Sequence, residues 1–180
     1  MEQIGLLHDG QIYDLQSAEA LNIKGDIIKA DDSKESLEIL RHSCAHMMAQ
    51  AIKELYPEAK FFVGPVVKEG FYYDFKVESK ISDEDLPAIE KKMKEIADRK
   101  LPITRHETTK EEFYEKFKND ELKQAVLKNI KDDTLTIYKQ GDFEDLCRGP
   151  HLPNTRMIRS FKLTRVAGAY LGGDEKNEMI

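Results

Sequence analysis

Two short stretches hold the side chains with the most chemistry. "RHSCAH", residues 41–46, sets His42 and His46 four apart around Cys44, and "CRGPH", residues 147–151, brings Cys147 and His151 together about a hundred residues later. On a helix, residues four apart share a face, so His42 and His46 can act on one point. Joined by Cys147 and His151 they would make a tetrahedral nitrogen and sulfur set of the kind zinc takes. The same types also suit a metal-free polar cleft, in which imidazoles and a thiol handle protons while Asp145 orients one of them. Spacing alone leaves both open.

The elements that must carry these groups are legible in part. "IGLLHDGQIYDL" sets Asp9-Gly10 between apolar stretches, the signal for a tight hairpin. A helix is expected from Ser33, with Asp32 as N-cap and Glu35 completing a capping box. Its apolar stripe would be Leu37, Leu40, Cys44, Met47, Met48, Ala51 and Leu55, which makes Cys44 a packing residue and leaves His42 and His46 off the packing face. Residues 60–77 read as two strands about the Gly64-Pro65 and Glu69-Gly70 turns. Residues 82–101 read as an amphipathic helix capped by Ser82, with Leu86, Ile89, Met93 and Ile96 inward. A strand "LPITRHE" follows, on which the lone His106 carries no functional weight. A charged helix opened by Thr109 and Glu112, a short helix "ELKQAVLKNI", strands "TLTIYK" and "DFEDLC", and a last strand near "FKLTRVAGAYL" complete the chain. Strands and helices without strict alternation predict an α+β fold, a layered helix-on-antiparallel-sheet domain with a small β-rich N-terminal appendage.

With 180 residues the chain is long enough for one medium domain with a working core. No apolar run approaches the roughly 20 residues of a membrane span, and the N-terminus lacks a signal-peptide layout, so no membrane partner and a cytoplasmic location are expected. Cys44 and Cys147 are accordingly expected as reduced thiols. The net charge of −6 excludes a general nucleic-acid coat. Between Leu146 and Gly173, however, there is no acidic residue, while Arg148, Arg156, Arg159, Lys162 and Arg165 are all basic. Beside a His/Cys cluster such a strip suits an anionic ligand, such as a phosphate backbone. Basic residues alternating out of an edge strand would look the same.

Four stretches in order, "RHSCAHMMAQAI", "GPVVKEGFYYDF", "DLCRGPHLPNT" and "FKLTRVAGAYLGGDEKNEM", resemble the editing domain of bacterial threonyl-tRNA synthetases. The resemblance runs from about Ser36 to the C-terminus. It extends more distantly to the editing domain of alanyl-tRNA synthetases. It implies two units: residues 1–35, similar to the latter part of the family's ubiquitin-like N-terminal domain, and residues 36–180, a deacylase domain. It also implies that the family's first portion and its aminoacylation core lie outside this sequence, so that the chain neither aminoacylates nor binds ATP. The implied function is proofreading, the hydrolysis of serine wrongly esterified to the acceptor end of tRNA(Thr), with that tRNA and the remainder of the synthetase as partners.

By the same resemblance the pocket comprises His42, His46, Tyr73, Lys123, Asp145, Cys147 and His151. His42 would position the water, and Lys123 would act as base or stabilise charge. Asp145 and His151 would hold the ribose and the seryl amine, and Cys147 and Tyr73 would line the selective wall. The basic strip from Arg148 to Arg165 would bind tRNA. The threonyl family's editing is taken as metal-free, so no cofactor is expected. Zinc on His42, His46, Cys147 and His151, as in the alanyl relatives, is the alternative, in its extreme form a zinc-stabilised tRNA-binding module without hydrolysis. A Cys147 thiol hydrolase working through an acyl-enzyme is a third possibility.

Overall fold

The computed structural model describes residues 1–180. The N-terminal hairpin joins β1 (Gln3–His8) to β2 (Gln11–Asp14) in the register His8 opposite Gln11. Asp9 and Gly10 both have positive φ, 48° and 74°, the geometry that a two-residue hairpin turn demands. Asp14 then caps α1 (Leu15–Ala20), its carboxylate accepting from Ser17 N–H at 2.8 Å. β3 (Asp26–Lys29) pairs antiparallel with the other edge of β1.

The central element is α2 (Lys34–Leu55). Its N-cap is Ser33, whose hydroxyl accepts from Ser36 N–H at 3.3 Å, and not the expected Asp32. The preceding Asp31 carboxylate binds Ser33 N–H at 2.9 Å, which starts the helix one residue later and leaves Glu35 out of any box. Nor does α2 have a single packing face. Ile39, Cys44, Ala45, Met47, Ala49 and Ile52 are all buried, with Ser43, His46 and Gln50 between them, whereas Leu55 is exposed. The helix is enclosed by β1 and β3, by α3 (Leu86–Asp98) and by the short strands that follow it, so the expected stripe is too narrow and His46 is a buried residue.

Residues 60–77 form two nested two-residue hairpins where two strands are expected. β4 (Lys60–Phe61) pairs with β7 (Phe75–Lys76), and β5 (Val66–Val67) pairs with β6 (Gly70–Phe71). A capping box between Ser82 and Asp85 precedes α3, whose Ile89, Met93 and Ile96 are buried. The second sheet has the order β10-β9-β8, all antiparallel: β8 (Thr104–Thr109), β9 (Thr134–Gln140) and β10 (Phe143–Leu146). Between β8 and β9 lie α4 (Lys110–Lys116), opened by the Thr109/Glu112 capping box, and α5 (Glu121–Lys128), capped by Asp120. Side chains of β9 alternate: Leu135 and Ile137 pack with Phe113 of α4 and Leu127 of α5, whereas Tyr138 joins the main core. That main core includes Ile4 and Ile28 of the first sheet together with Ile39, Met93, Phe143 and Leu152.

After β10 the chain has no further strand. The expected one near residues 161–171 is mostly irregular backbone: Leu163 N–H donates to Glu90 at 2.8 Å and Val166 N–H to Asp83 at 2.6 Å, and the stretch pairs only at its end, through an isolated antiparallel bridge of Tyr170 with Met179. The whole is the α+β arrangement expected, helices packed on small antiparallel sheets.

Candidate functional site

Four parts of the chain converge on one buried cluster. α2 supplies His42 and His46 one turn apart, the loop after β6 supplies Tyr73, α5 supplies Lys123, and the end of β10 with the following loop supplies Asp145, Cys147 and His151. The seven expected pocket residues are thus brought together. The His46 and His151 rings lie with centroids 4.4 Å apart, their planes tilted by 50°. His42 lies edge-on to His151 at 5.9 Å, and His46 reaches Tyr73 at 6.2 Å. His46, Tyr73, Lys123, Asp145 and His151 are buried. His42 and Cys147 are partly buried, the two members of the cluster that keep some exposed surface, so they form its accessible edge.

Asp145 is the hub of one half. Tyr73 O–H donates to one carboxylate oxygen and Lys123 Nζ to the other, which also accepts from Leu146 N–H at 2.8 Å. A buried lysine and a buried aspartate are thereby charge-matched, the condition under which such groups survive in a core. Burial and the adjacent Asp145 carboxylate push the Tyr73 phenol well above its ordinary range, so it stays a donor. Gly64 makes room for this arrangement, since a Cβ there would stand 2.3 Å from the Tyr73 ring.

The other half is a chain of neutral donors and acceptors. His151 Nε2 lies 3.2 Å from Cys147 Sγ, and its Nδ1 lies 3.0 Å from Ser43 Oγ. Ser43 Oγ also accepts from Leu152 N–H at 2.8 Å, and Gly149 N–H points at Cys147 Sγ at 3.2 Å. Burial lowers His42; for His46 it lowers the pKa to about 4, and His151 falls well below the usual imidazole range through burial and the neighbouring His46 and His42. All three rings are neutral at pH 7. Burial pushes the Cys147 thiol up to about 12, so without a cation beside it the sulfur stays protonated.

Three residues in this network have no marker in the sequence. Ser43 and Tyr138 are fully buried polar groups, and the Tyr138 ring packs against His151 at 4.3 Å, tilted by 46°. Asp14, from the N-terminal hairpin, accepts from His151 N–H at 2.8 Å. A serine inside a helical pattern and a tyrosine inside a strand look like ordinary packing, and only the alternation of β9 hints that Tyr138 shares a face with the site.

Neutral imidazoles and a thiol in contact can also take a metal. The ligand atoms of His46, Cys147 and His151 all lie within 4.8 Å of one another. That suits a three-ligand zinc centre with an open fourth position, and the Ser43 contact would fix the His151 ring as outer partners of zinc ligands do. His42, the fourth ligand of the zinc alternative, stands outside this trio.

A cavity of about 470 Å³ opens on Cys147, with Asp14 and Ser17 on one wall and Arg148 and Gly149 on the other. A broader groove of about 1370 Å³ runs between α2 and residues 160–173 and touches Tyr73. The basic residues are dispersed. Arg148 pairs with Asp132 at 3.3 Å and Lys162 with Glu90 at 3.3 Å, both cations well exposed. Arg156, Arg159 and Arg165 are exposed and in no ion pair. Since no strand runs here, the edge-strand explanation of the strip does not apply.

Residues 135–180 match the family model described as the threonyl and alanyl tRNA synthetase second additional domain. The chain is 65% identical over 179 residues to a threonine–tRNA ligase of Campylobacter jejuni, covering 99% of this chain and 29% of that protein. It is 63% identical over 179 residues to one of Helicobacter hepaticus, covering 99% of this chain and 30% of that protein. Over 150 residues it is 72% identical to one of Campylobacter lari, covering 83% of this chain and 25% of that protein. The chain therefore spans less than a third of the length of these relatives. Along nearly all of its own length the chain is similar to threonine–tRNA ligases, and its residues 135–180 match the second additional domain described for threonyl and alanyl tRNA synthetases.

Proposed function

We propose that this chain is a proofreading module that hydrolyses the 3′ ester of seryl-tRNA(Thr), with residues 36–180 as the deacylase unit and residues 1–35 as an N-terminal β-rich segment. The observation that supports it is the cluster of His42, His46, Tyr73, Lys123, Asp145, Cys147 and His151, packed together and neutral in its imidazoles, within a chain similar to threonine–tRNA ligases. Threonine and serine differ by one methyl, which a binding pocket resolves by only about 1–3 kcal/mol. A second, smaller site that accepts serine and excludes the methyl supplies the missing discrimination.

In this reading water attacks the ester carbonyl. The new bond is water oxygen to carbonyl carbon, and the bond that breaks joins that carbon to the ribose oxygen, which leaves with a proton. His42, neutral and at the accessible edge, orients the water, receives its proton and passes it to the departing ribose oxygen. Lys123, anchored by Asp145, faces the developing oxyanion as a fixed cation. Asp145 and His151 bind ribose and amine by exchanging some of their internal hydrogen bonds for substrate, and Tyr73 and Cys147 shape the wall. Arg148, Arg156, Arg159, Lys162 and Arg165 hold the acceptor arm. No cofactor enters this route. The partners are the acceptor end of tRNA(Thr) and the remainder of the synthetase, in the cytoplasm; no helix is long and apolar enough to cross a membrane.

The trio of His46, Cys147 and His151 favours one second reading, a zinc-stabilised tRNA-binding module without hydrolysis. Deacylation of seryl-tRNA(Thr) by the purified chain, before and after dialysis against a chelator, separates the two. Chelator-resistant release of serine supports the proposal. Binding without release, with unfolding on chelation, supports the zinc module.

A further inference from the structure

The N-terminal hairpin unit reaches the cluster through the Asp14 carboxylate, with Ser17 beside it. Asp14 is 2% exposed, yet three donors from three parts of the chain point at it. Its Oδ1 accepts from Ser17 N–H at 2.8 Å, the N-cap bond of α1. Its Oδ2 accepts from His151 N–H at 2.8 Å and from Tyr138 O–H, and Tyr138 in turn lies 3.0 Å from Ser17 Oγ and packs against the His151 ring. The loop between Cys147 and His151 is moulded to this group. Gly149 has φ +80°, and a Cβ there would stand 2.6 Å from Tyr138 Oη and 2.8 Å from Asp14 Oδ2. Gln16 fixes the unit from the other side, donating to Ile103 C=O at 2.6 Å and accepting from Arg105 N–H at 2.7 Å beside the edge strand β8. The hairpin is thus clamped to the sheet and holds one charge against the backbone of a pocket histidine.

We infer that Asp14 is a positioning residue of the site: by binding His151 N–H and Tyr138 O–H it sets the 147–151 loop so that His151 and Cys147 face α2. The inference rests on the deacylase reading for its kinetic arm, but not for its structural arm. A carboxylate that fixes the main chain of a working histidine also fixes where its ring stands, and small misplacements of reacting groups cost up to about 10²-fold in rate.

Asp14→Asn isolates the role. Asparagine caps helices as well as aspartate does, so its oxygen can keep Ser17 N–H and α1 intact. Its amide NH₂ then faces His151 N–H, donor against donor, and the bond that sets the loop is lost. The expected result is a folded protein in which the NMR signals of the His151 amide and ring and of Cys147 move while those of β3, remote from the substituted side chain, do not. With seryl-tRNA(Thr), kcat falls about tenfold or more with little change in KM. Tyr138→Phe, which removes the second Oδ2 donor and leaves the ring packed, gives a smaller loss in the same direction, and stands in should Asp14→Asn fail to fold. Unmoved His151 signals, or a wild-type kcat in both variants, overturn the inference. If the wild-type chain itself releases no serine, the deacylase reading fails, and the NMR shifts alone decide the role of Asp14.

Discussion

His42 and Cys147 are the accessible edge of the cluster, and they separate the chemistries it could run. The His42 ring is held by packing against His151 and by no hydrogen bond of its own, so His42→Ala should cost about 1 kcal/mol of stability or less. If it orients the attacking water, serine release should nevertheless fall by about 10²-fold or more, measured in a single turnover. Cys147→Ser keeps a small polar group but cannot form a thiolate. With the thiol already held up to about 12, the variant should retain substantial activity, and no acyl-enzyme should be trapped by acid quench. The buried imidazoles make a further mark on stability. His46 has a folded pKa of about 4 against about 6.5 unfolded, and His151 is displaced in the same direction. The unfolded chain therefore takes up protons first as pH falls, so their contribution is complete above about pH 6.5 and is lost between about pH 6.5 and 4. The displacement of His46 alone is on the order of 3 kcal/mol, and urea midpoints at about pH 7.5 and about pH 5 should differ in that direction. At this scale sequence shows the groups that have chemistry of their own, His42, His46, Cys147 and His151. It hides Ser43, Asp14 and Tyr138, which matter only through what they touch.

At the scale of elements, caps and turns are the most legible features, because each is settled among a few chain neighbours. The Asp9-Gly10 turn, the Ser82 cap and the Thr109/Glu112 box form where their residue types predict, whereas the Asp32/Glu35 box gives way to a cap by the neighbouring Ser33. Burial is less legible where an element is enclosed. The periodicity of α2 marks one face, but the sheet of β1 to β3 and the strands of 60–77 cover the others, and so His46 is buried against expectation. The 161–171 stretch has strand composition yet finds a partner only at its end, where Tyr170 bridges Met179, while its Leu163 and Val166 amides go to Glu90 and Asp83. Gly64 gives the element-scale test. A methyl there would meet the Tyr73 ring at 2.3 Å and push its hydroxyl off Asp145. Gly64→Ala should cost about 1–3 kcal/mol in thermal or urea unfolding, and should slow serine release more than Val67→Ala, a truncation of an exposed side chain in the adjoining strand β5.

For the whole molecule the charge distribution makes the prediction. The basic strip crosses irregular backbone on an otherwise acidic protein, with Arg156, Arg159 and Arg165 unpaired. Neutralising Arg156, Arg159, Lys162 and Arg165 in turn should weaken tRNA binding and flatten its salt dependence by about 0.7–0.9 log-log units for each phosphate that a removed cation had neutralised. An unchanged slope would leave the strip as solvated surface. The fold class was readable because strands and helices follow one another without alternation, whereas the joining of the first sheet to the main core through Ile4, Ile28 and Ile39 was not, because it unites distant segments. The account as a whole rests on selective ester hydrolysis. At saturating concentrations of the chain, single-turnover release of serine from seryl-tRNA(Thr) and of threonine from threonyl-tRNA(Thr) should differ by at least about 10-fold, the lower bound set by one excluded methyl, with serine the faster and its rate unchanged by a chelator. Release of both amino acids at the uncatalysed rate, or of both equally fast, would contradict it.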